Sequence, residues 1–174
     1  FIAAEKRRST MLDTAAVPDV GDEEILARFA IGKRAVRADG TLKDNELLPP
    51  PSGKLSVMRH LEATEQEIWD EGREVARLRA KELVGRIDLN AGECRRVGLQ
   101  VIKAPLVADP PSKPEPQRRL ANPNHADLVF PTAAAIPRTL LPKADQMAIA
   151  KALVANSFRV IPPPMDTEKK TPAI

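Results

Sequence analysis

Two histidines, His60 and His125, are the only imidazoles in the chain. His125-Ala126-Asp127 sets an imidazole and a carboxylate two residues apart, a spacing that puts both on one face of a strand. Such a pair could orient a general base or hold a metal ion. His60 ends the alternating segment Leu55–His60 and could join the pair if the two strands are neighbours. The plainer alternative is a histidine that satisfies backbone groups beside Pro123, because a histidine two residues from an aspartate is common and no third ligand is marked. His60, His125 and Asp127 are therefore the candidate catalytic residues, and no metal site is expected.

Arg59 and Arg86 fall on different expected strands, with Asp88 on the face of Arg86. They could bind an anionic ligand, or an Arg to Asp pair could simply tie two strands together, which is the ordinary role of paired charges at a sheet rim. Cys94 precedes Arg95 and Arg96, and cations lower a thiol pKa when they are close. Nothing marks it as a nucleophile, so a small buried apolar role is expected. The chain has no Walker A loop, dinucleotide glycine pattern, His-Glu-x-x-His helix or Gly-x-Ser-x-Gly elbow. No cofactor is expected.

The elements that must position these residues are partly legible. Ile25, Leu26 and Phe29, preceded by Asp22, Glu23 and Glu24, predict a short helix. Leu55–His60 predicts a strand. Thr64 followed by Glu67 is a capping box, with acids early and Arg77, Arg79 and Lys81 late, so a helix is expected over 65–82 with Trp69 as a packing anchor. Strands follow at 83–89 and 99–103, separated by a short helix that Asn90 caps and Gly98 ends. Further elements are a strand at 126–130, a helix over 143–157 and a last strand at 158–161.

Seventeen prolines punctuate this order, about twice the average share. They gather in an arm at 49–51 anchored by Leu47 and Leu48, in a Pro-rich insertion at 104–123, in a loop at 131–142 and after residue 161. The expected fold is α+β: one small mixed sheet of four to five strands packed against two main helices. It forms a single domain over 21–162, between a disordered N-terminal segment 1–20 and a disordered tail 163–174. The chain begins at Phe1, and Met11 is an alternative start.

Charge narrows the classes of partner. Lys and Arg total 27 against 24 Asp and Glu, a net charge of +3. The signs interleave, and the basic pairs Arg7-Arg8, Lys33-Arg34, Arg95-Arg96 and Arg118-Arg119 are scattered, whereas phosphate-neutralising proteins concentrate them on one stripe. Five aromatics and no tyrosine offer few base-stacking platforms. No apolar run approaches the roughly 18 residues needed to span a bilayer, and the amino end does not read as a signal peptide. One cysteine precludes an intrachain disulfide, so the default setting is cytoplasmic.

Together, Leu55-Ser56-Val57-Met58-Arg59, Glu67-Ile68-Trp69 with Gly72, Gly85-Arg86-Ile87-Asp88-Leu89, Gly98-Leu99-Gln100-Val101 and Asn122-Pro123-Asn124-His125-Ala126-Asp127 resemble a family of small uncharacterised bacterial proteins. The resemblance spans residues 27 to 161. It implies a bacterial setting and a single domain, and it carries no activity, cofactor or site residue. The expected function is that of a non-enzymatic interaction or accessory protein that docks on another protein of a bacterial multi-component system. The alternatives are a small enzyme or ligand-binding protein built on His125, Asp127 and His60, and nucleic-acid binding through the basic pairs.

Overall fold

The computed structural model describes residues 14–136, 138–155 and 159–165. Five strands, β1 (Ile25–Ile31), β2 (Lys54–Arg59), β3 (Leu83–Asn90), β4 (Gln100–Lys103) and β5 (His125–Val129), form one open sheet in the order β3-β1-β2-β5-β4. Among the described residues three α-helices accompany it: α1 (Glu65–Leu78), α2 (Ala91–Arg96) and α3 (Lys143–Val154). The class is α+β as expected. The sheet is antiparallel at every pairing rather than mixed, and the reason lies in β1. It inserts between β2 and β3, so the two strands that α1 connects each meet an antiparallel neighbour instead of each other.

Residues 25–31 form this central strand, not the short helix that the spacing of Ile25, Leu26 and Phe29 suggested. Ala27 and Ala30, which lie between the larger apolar residues, are both fully buried. A strand covered on both faces reads as a near-continuous apolar run without clean alternation, and over so few residues that run mimics a helical stripe. Seven register pairs lock β1 to β3, from Ile25 opposite Asn90 to Ile31 opposite Leu83.

Both helix starts expected from cap spacing are present. Thr64 Oγ1 accepts from the Glu67 N–H at 3.2 Å, and the Thr64 N–H donates back to the Glu67 carboxylate at 2.9 Å. Asn90 caps α2 by accepting from the Glu93 N–H at 3.0 Å. Helix α1 stops at Leu78, short of the expected 82, where Ala80 takes a left-handed φ of 51°. Gly98, at φ 102°, closes the turn after α2.

The two main helices pack on opposite faces of the sheet. Leu55, Val57, Ile87, Leu89, Ala126 and Leu128 build the larger core cluster together with Ala150 and Leu153 of α3. Ala27 and Met58 face the other way and meet Ile68 of α1, with Phe29 packed beside them. Gly72 makes this second layer thin, since a Cβ there would lie 2.8 Å from the Phe29 ring. Leu47 is fully buried and Leu48 packs against the larger cluster, which anchors the proline arm as expected.

The proline-rich segment 104–123 folds back on itself. Leu106 and Asn122 exchange two backbone hydrogen bonds of 2.9 Å at its base, and the Asp109 N–H donates to the Arg119 carbonyl further out. Arg77 of α1 holds it from outside by donating to the carbonyls of Pro116 at 2.8 Å and Arg118 at 2.9 Å. Residues 14–20 are likewise tied down, against the expectation for 1–20: Val20 is buried, and Arg59 and Lys103 donate to the carbonyls of Pro18, Asp19 and Val17. Residues 1–13, the last two positions of the helix expected over 143–157, Phe158 of the expected last strand and residues 166–174 of the expected tail lie outside the described residues. Ile161 pairs with Arg86 on the outer edge of β3 through hydrogen bonds of 2.8 and 3.0 Å.

Candidate functional site

The main irregularity of the sheet is the junction of β1 and β2. Only Leu26–Arg59 and Ala27–Met58 pair there, after which the strands diverge. Hydrogen-bonding groups alternate sides along a strand, and the Ser56 carbonyl faces β1 with no ladder partner on it. The Arg28 guanidinium fills that vacancy, donating from Nη1 to Ser56 O at 3.0 Å and from Nη2 to Glu46 O at 3.4 Å. A small cavity of about 40 Å³ opens in the gap, lined by consecutive residues of both strands, Arg28 and Phe29 on one side and Ser56, Val57 and Met58 on the other. Glu71, Val75 and Arg79 cover it from α1, and their four-residue spacing places them on one helix face.

Arg28 is the unusual group. Its side chain is half-buried, with the Nη1 bond to Ser56 open to solvent, whereas its Nε is shut off from solvent and bonds to nothing, and no carboxylate lies within ion-pair distance among the described residues. Burial, reinforced by the nearby charge of Arg79, pulls its pKa down to about 10. A buried donor left unmade costs about 1–3 kcal/mol, and more when it is charged. The fold therefore retains a guanidinium whose Nε–H is unpaired.

Two further polar groups reach the same cavity. Asn122 is almost wholly buried, its Oδ1 accepts from the Asn124 N–H at 2.9 Å, and its Nδ2 has no partner. It stands at the base of the proline-rich loop, so the loop delivers this donor to the sheet. His125, on β5 opposite Met58, places Nδ1 2.7 Å from the Ala104 carbonyl. That contact fixes Nδ1 as the donor and leaves Nε2 as an acceptor. Burial lowers the His125 pKa below its ordinary value, outweighing the Ala104 contact and the Asp127 charge 3.8 Å from Nε2, so the ring is neutral at neutral pH.

The structure divides the residues singled out from sequence. His125 and Asp127 do share a face. His60 does not join them: its Nε2 leans across β1 to lie 3.2 Å from Asp88 Oδ1, without the alignment of a hydrogen bond, while His125 turns the other way, to Ala104 at the end of β4. Arg86 pairs with Asp88, Nε to Oδ1 at 3.0 Å, as the tying role anticipated. It also forks onto Glu65 at 2.8 Å twice and lies 4.7 Å from the centre of the Trp69 ring. Arg59 sits on the opposite face, where it is fully buried against Glu24. These arginines have their donors filled and do not converge. Arg28 and Asn122 were missed, although Arg28 carried a signal, being the one charge within the otherwise apolar run Ile25–Ile31.

Other candidates resolve simply. Cys94 is fully buried, and desolvation pushes its thiol up to about 12, which makes it inert. The basic pairs are largely engaged by acids: Arg95 with Asp22, Arg96 with Glu93, Lys33 with Glu82 and Arg118 with Glu115. Among the described residues no cluster of three or more His, Cys, Asp or Glu could hold a metal ion, and no helix is long and apolar enough to cross a membrane.

What fold and site define is an α+β domain with an open five-stranded antiparallel sheet and a cation-lined cavity in a split between two strands. No family model matches the chain, and no curated protein and no solved structure matches it either.

Proposed function

We propose that this is a non-enzymatic accessory protein that binds a small anionic ligand in the cavity between β1 and β2. The observation that supports the reading is Arg28, a half-buried guanidinium with an unbonded Nε and no carboxylate partner, which lines the cavity together with Asn122. An incoming anion would supply the acceptors that the fold withholds. Binding is favoured over catalysis because no hydrogen bond joins the free Nε2 of His125 to the Ser56 hydroxyl, the nearest thing to a nucleophile in the cavity. The setting that belongs with this reading is the bacterial cytoplasm, supported by the resemblance of the quoted segments and by a lone, free, buried cysteine.

The test is a titration of formate, acetate, sulfate and phosphate into the ¹⁵N-labelled full chain in chloride-free buffer. A saturable shift of the Arg28 Nε–H resonance by one or more of these anions is expected. Silence at that resonance for all of them overturns the reading.

A second reading, docking on another protein, is favoured by the loop 104–123. Arg77 holds it in a fixed shape while Pro110 and Pro111 stay exposed and Val107 keeps 62% of its surface, and pre-ordered proline segments lose little entropy on binding. Deletion of 106–121 with full retention of every cellular phenotype of the intact protein would dismiss it.

A further inference from the structure

We infer that the outer edge of β4 is a self-association surface, on which β4 of a second copy of this chain lies antiparallel about a two-fold axis through Ile102. The inference stands apart from the cavity and from any ligand in it.

The two edges of the sheet differ. β3 is covered at Arg86, which exchanges backbone hydrogen bonds of 2.8 and 3.0 Å with Ile161. β4 pairs with β5 on its inner side, and among the described residues no strand or bridge lies on its outer side. The alternation of the ladder fixes which groups face out. The Ala104 N–H donates to the His125 carbonyl, so Ala104, Ile102 and Gln100 turn their backbone groups inward, and Val101 and Lys103 turn theirs outward. Arg95 reaches the Val101 carbonyl at 3.3 Å, which leaves that oxygen a second lone pair. No described backbone carbonyl accepts from the outward N–H of Val101 or Lys103. An open row of this kind is a template for another strand.

A second copy fits the row because the row complements itself. Turned about the axis through Ile102, Val101 of each copy stands opposite Lys103 of the other, and every outward N–H meets a carbonyl. Ile102 then faces its own counterpart as the close, non-hydrogen-bonded pair, with Cα atoms about 4.5 Å apart. Its side chain, 46% exposed in an edge strand, gains an apolar neighbour there. The residues that usually guard an edge do not block this register. The Lys103 ammonium is drawn aside to the Val17 carbonyl at 2.6 Å and to Asp19 at 3.2 Å. Pro105 occupies the next outward position and has no N–H, so it ends the row. A longer extended peptide finds no further donor beyond Lys103, whereas the two-fold match leaves no group of the row unmade. Strands of four residues bury well below the roughly 1,200 Å² of a standard interface. The dimer is therefore weak and reversible, with a dissociation constant on the order of 0.1 mM.

Sedimentation equilibrium of the full chain, from about 10 µM to about 1 mM, should show monomer passing into dimer. Over the same range the amide exchange of Val101 and Lys103 should slow, while that of Gln100 and Ile102, already bonded to β5, should not change. Ile102→Lys sets like charges opposite each other across the axis and an opposite charge beside Asp127, its partner on β5. It should raise the dissociation constant about tenfold or more with little effect on the urea midpoint. The exchange measurement needs no variant and so stands even if Ile102→Lys folds poorly. A monomer throughout, or a dimer that a folded Ile102→Lys leaves intact, would overturn the inference. So would protection of Val101 and Lys103 that is independent of concentration, which would assign the edge to a segment of the same chain.

Discussion

Arg59 and Glu24, thirty-five residues apart, meet as a forked pair with Nε to Oε2 at 2.8 Å and Nη2 to Oε1 at 2.7 Å. The same guanidinium donates to the carbonyls of Pro18 and Asp19, so one fully buried cation fastens the segment before β1 to β2. Removing one partner of a buried pair leaves the other uncompensated, which costs about 3–5 kcal/mol. Arg59→Met should lose stability of that order in urea unfolding. Loss of no more than a surface ion pair's worth, about 1 kcal/mol or less, would show that Arg59 is not the fastener.

Stability should fall on mild acidification because of His125. Its folded pKa lies below the ordinary 6.5, so the unfolded chain binds the proton first as pH drops. The contribution is complete above about 6.5 and declines as pH falls toward the folded value. His125→Gln should flatten the difference between urea midpoints measured at about pH 7.5 and about pH 5.5.

A second loss belongs at lower pH. Glu65 is held below its ordinary 4.5 by its hydrogen bonds from Arg86, and Asp88 below 3.8 because His60 and Arg86 outweigh the opposing effect of burial. Depressed carboxylate pKa values give stability that is present above those ordinary values and vanishes as pH falls through the folded ones. Glu65→Gln should shrink the acid slope below about pH 4.5 while leaving the His125 window unchanged. An identical acid limb in the variant would rule out this pair as its source.

Gly72 should resist enlargement. A Cβ would stand 2.8 Å from Phe29 and 3.2 Å from Leu83, and overpacking of this kind costs about 1–3 kcal/mol. Gly72→Ala should lower the urea midpoint with an unchanged slope, since the change strains the native state without altering the surface exposed on unfolding.

Arg77→Ala should free the proline-rich loop without unfolding the domain, because the lost contacts are exposed ones worth about 1 kcal/mol or less in total stability. Limited proteolysis should then cut first within 110–119. Unchanged cleavage kinetics there would mean that the Asp109 to Arg119 contacts suffice to hold the loop.

Local signals carried over to the structure wherever the physics was local. The capping box at Thr64 and Glu67, the Asn90 cap, the alternation from Leu55 and the prolines confined to connections all act over a few residues. Nearest-neighbour geometry settles them whatever the rest of the chain does. The pairing of Arg86 with Asp88 was legible for the same reason, since two residues on one strand face are neighbours by construction.

The helix expected at Ile25–Ile31 shows where local reasoning stops. Those residues suit either conformation, and burial between β2 and β3, strands that begin 23 and 52 positions further along, decides for the strand. The site follows from that decision. His60 and His125 are divided because each leans toward a different edge of the sheet, and Arg28 becomes a half-buried cation without a carboxylate partner only because β1 and β2 part after two pairs. Residue types and short spacings thus dictated the caps, turns and most strands. Which charge is stranded beside a cavity was left to the tertiary structure, because desolvation and partner geometry depend on atoms that meet only when distant segments pack.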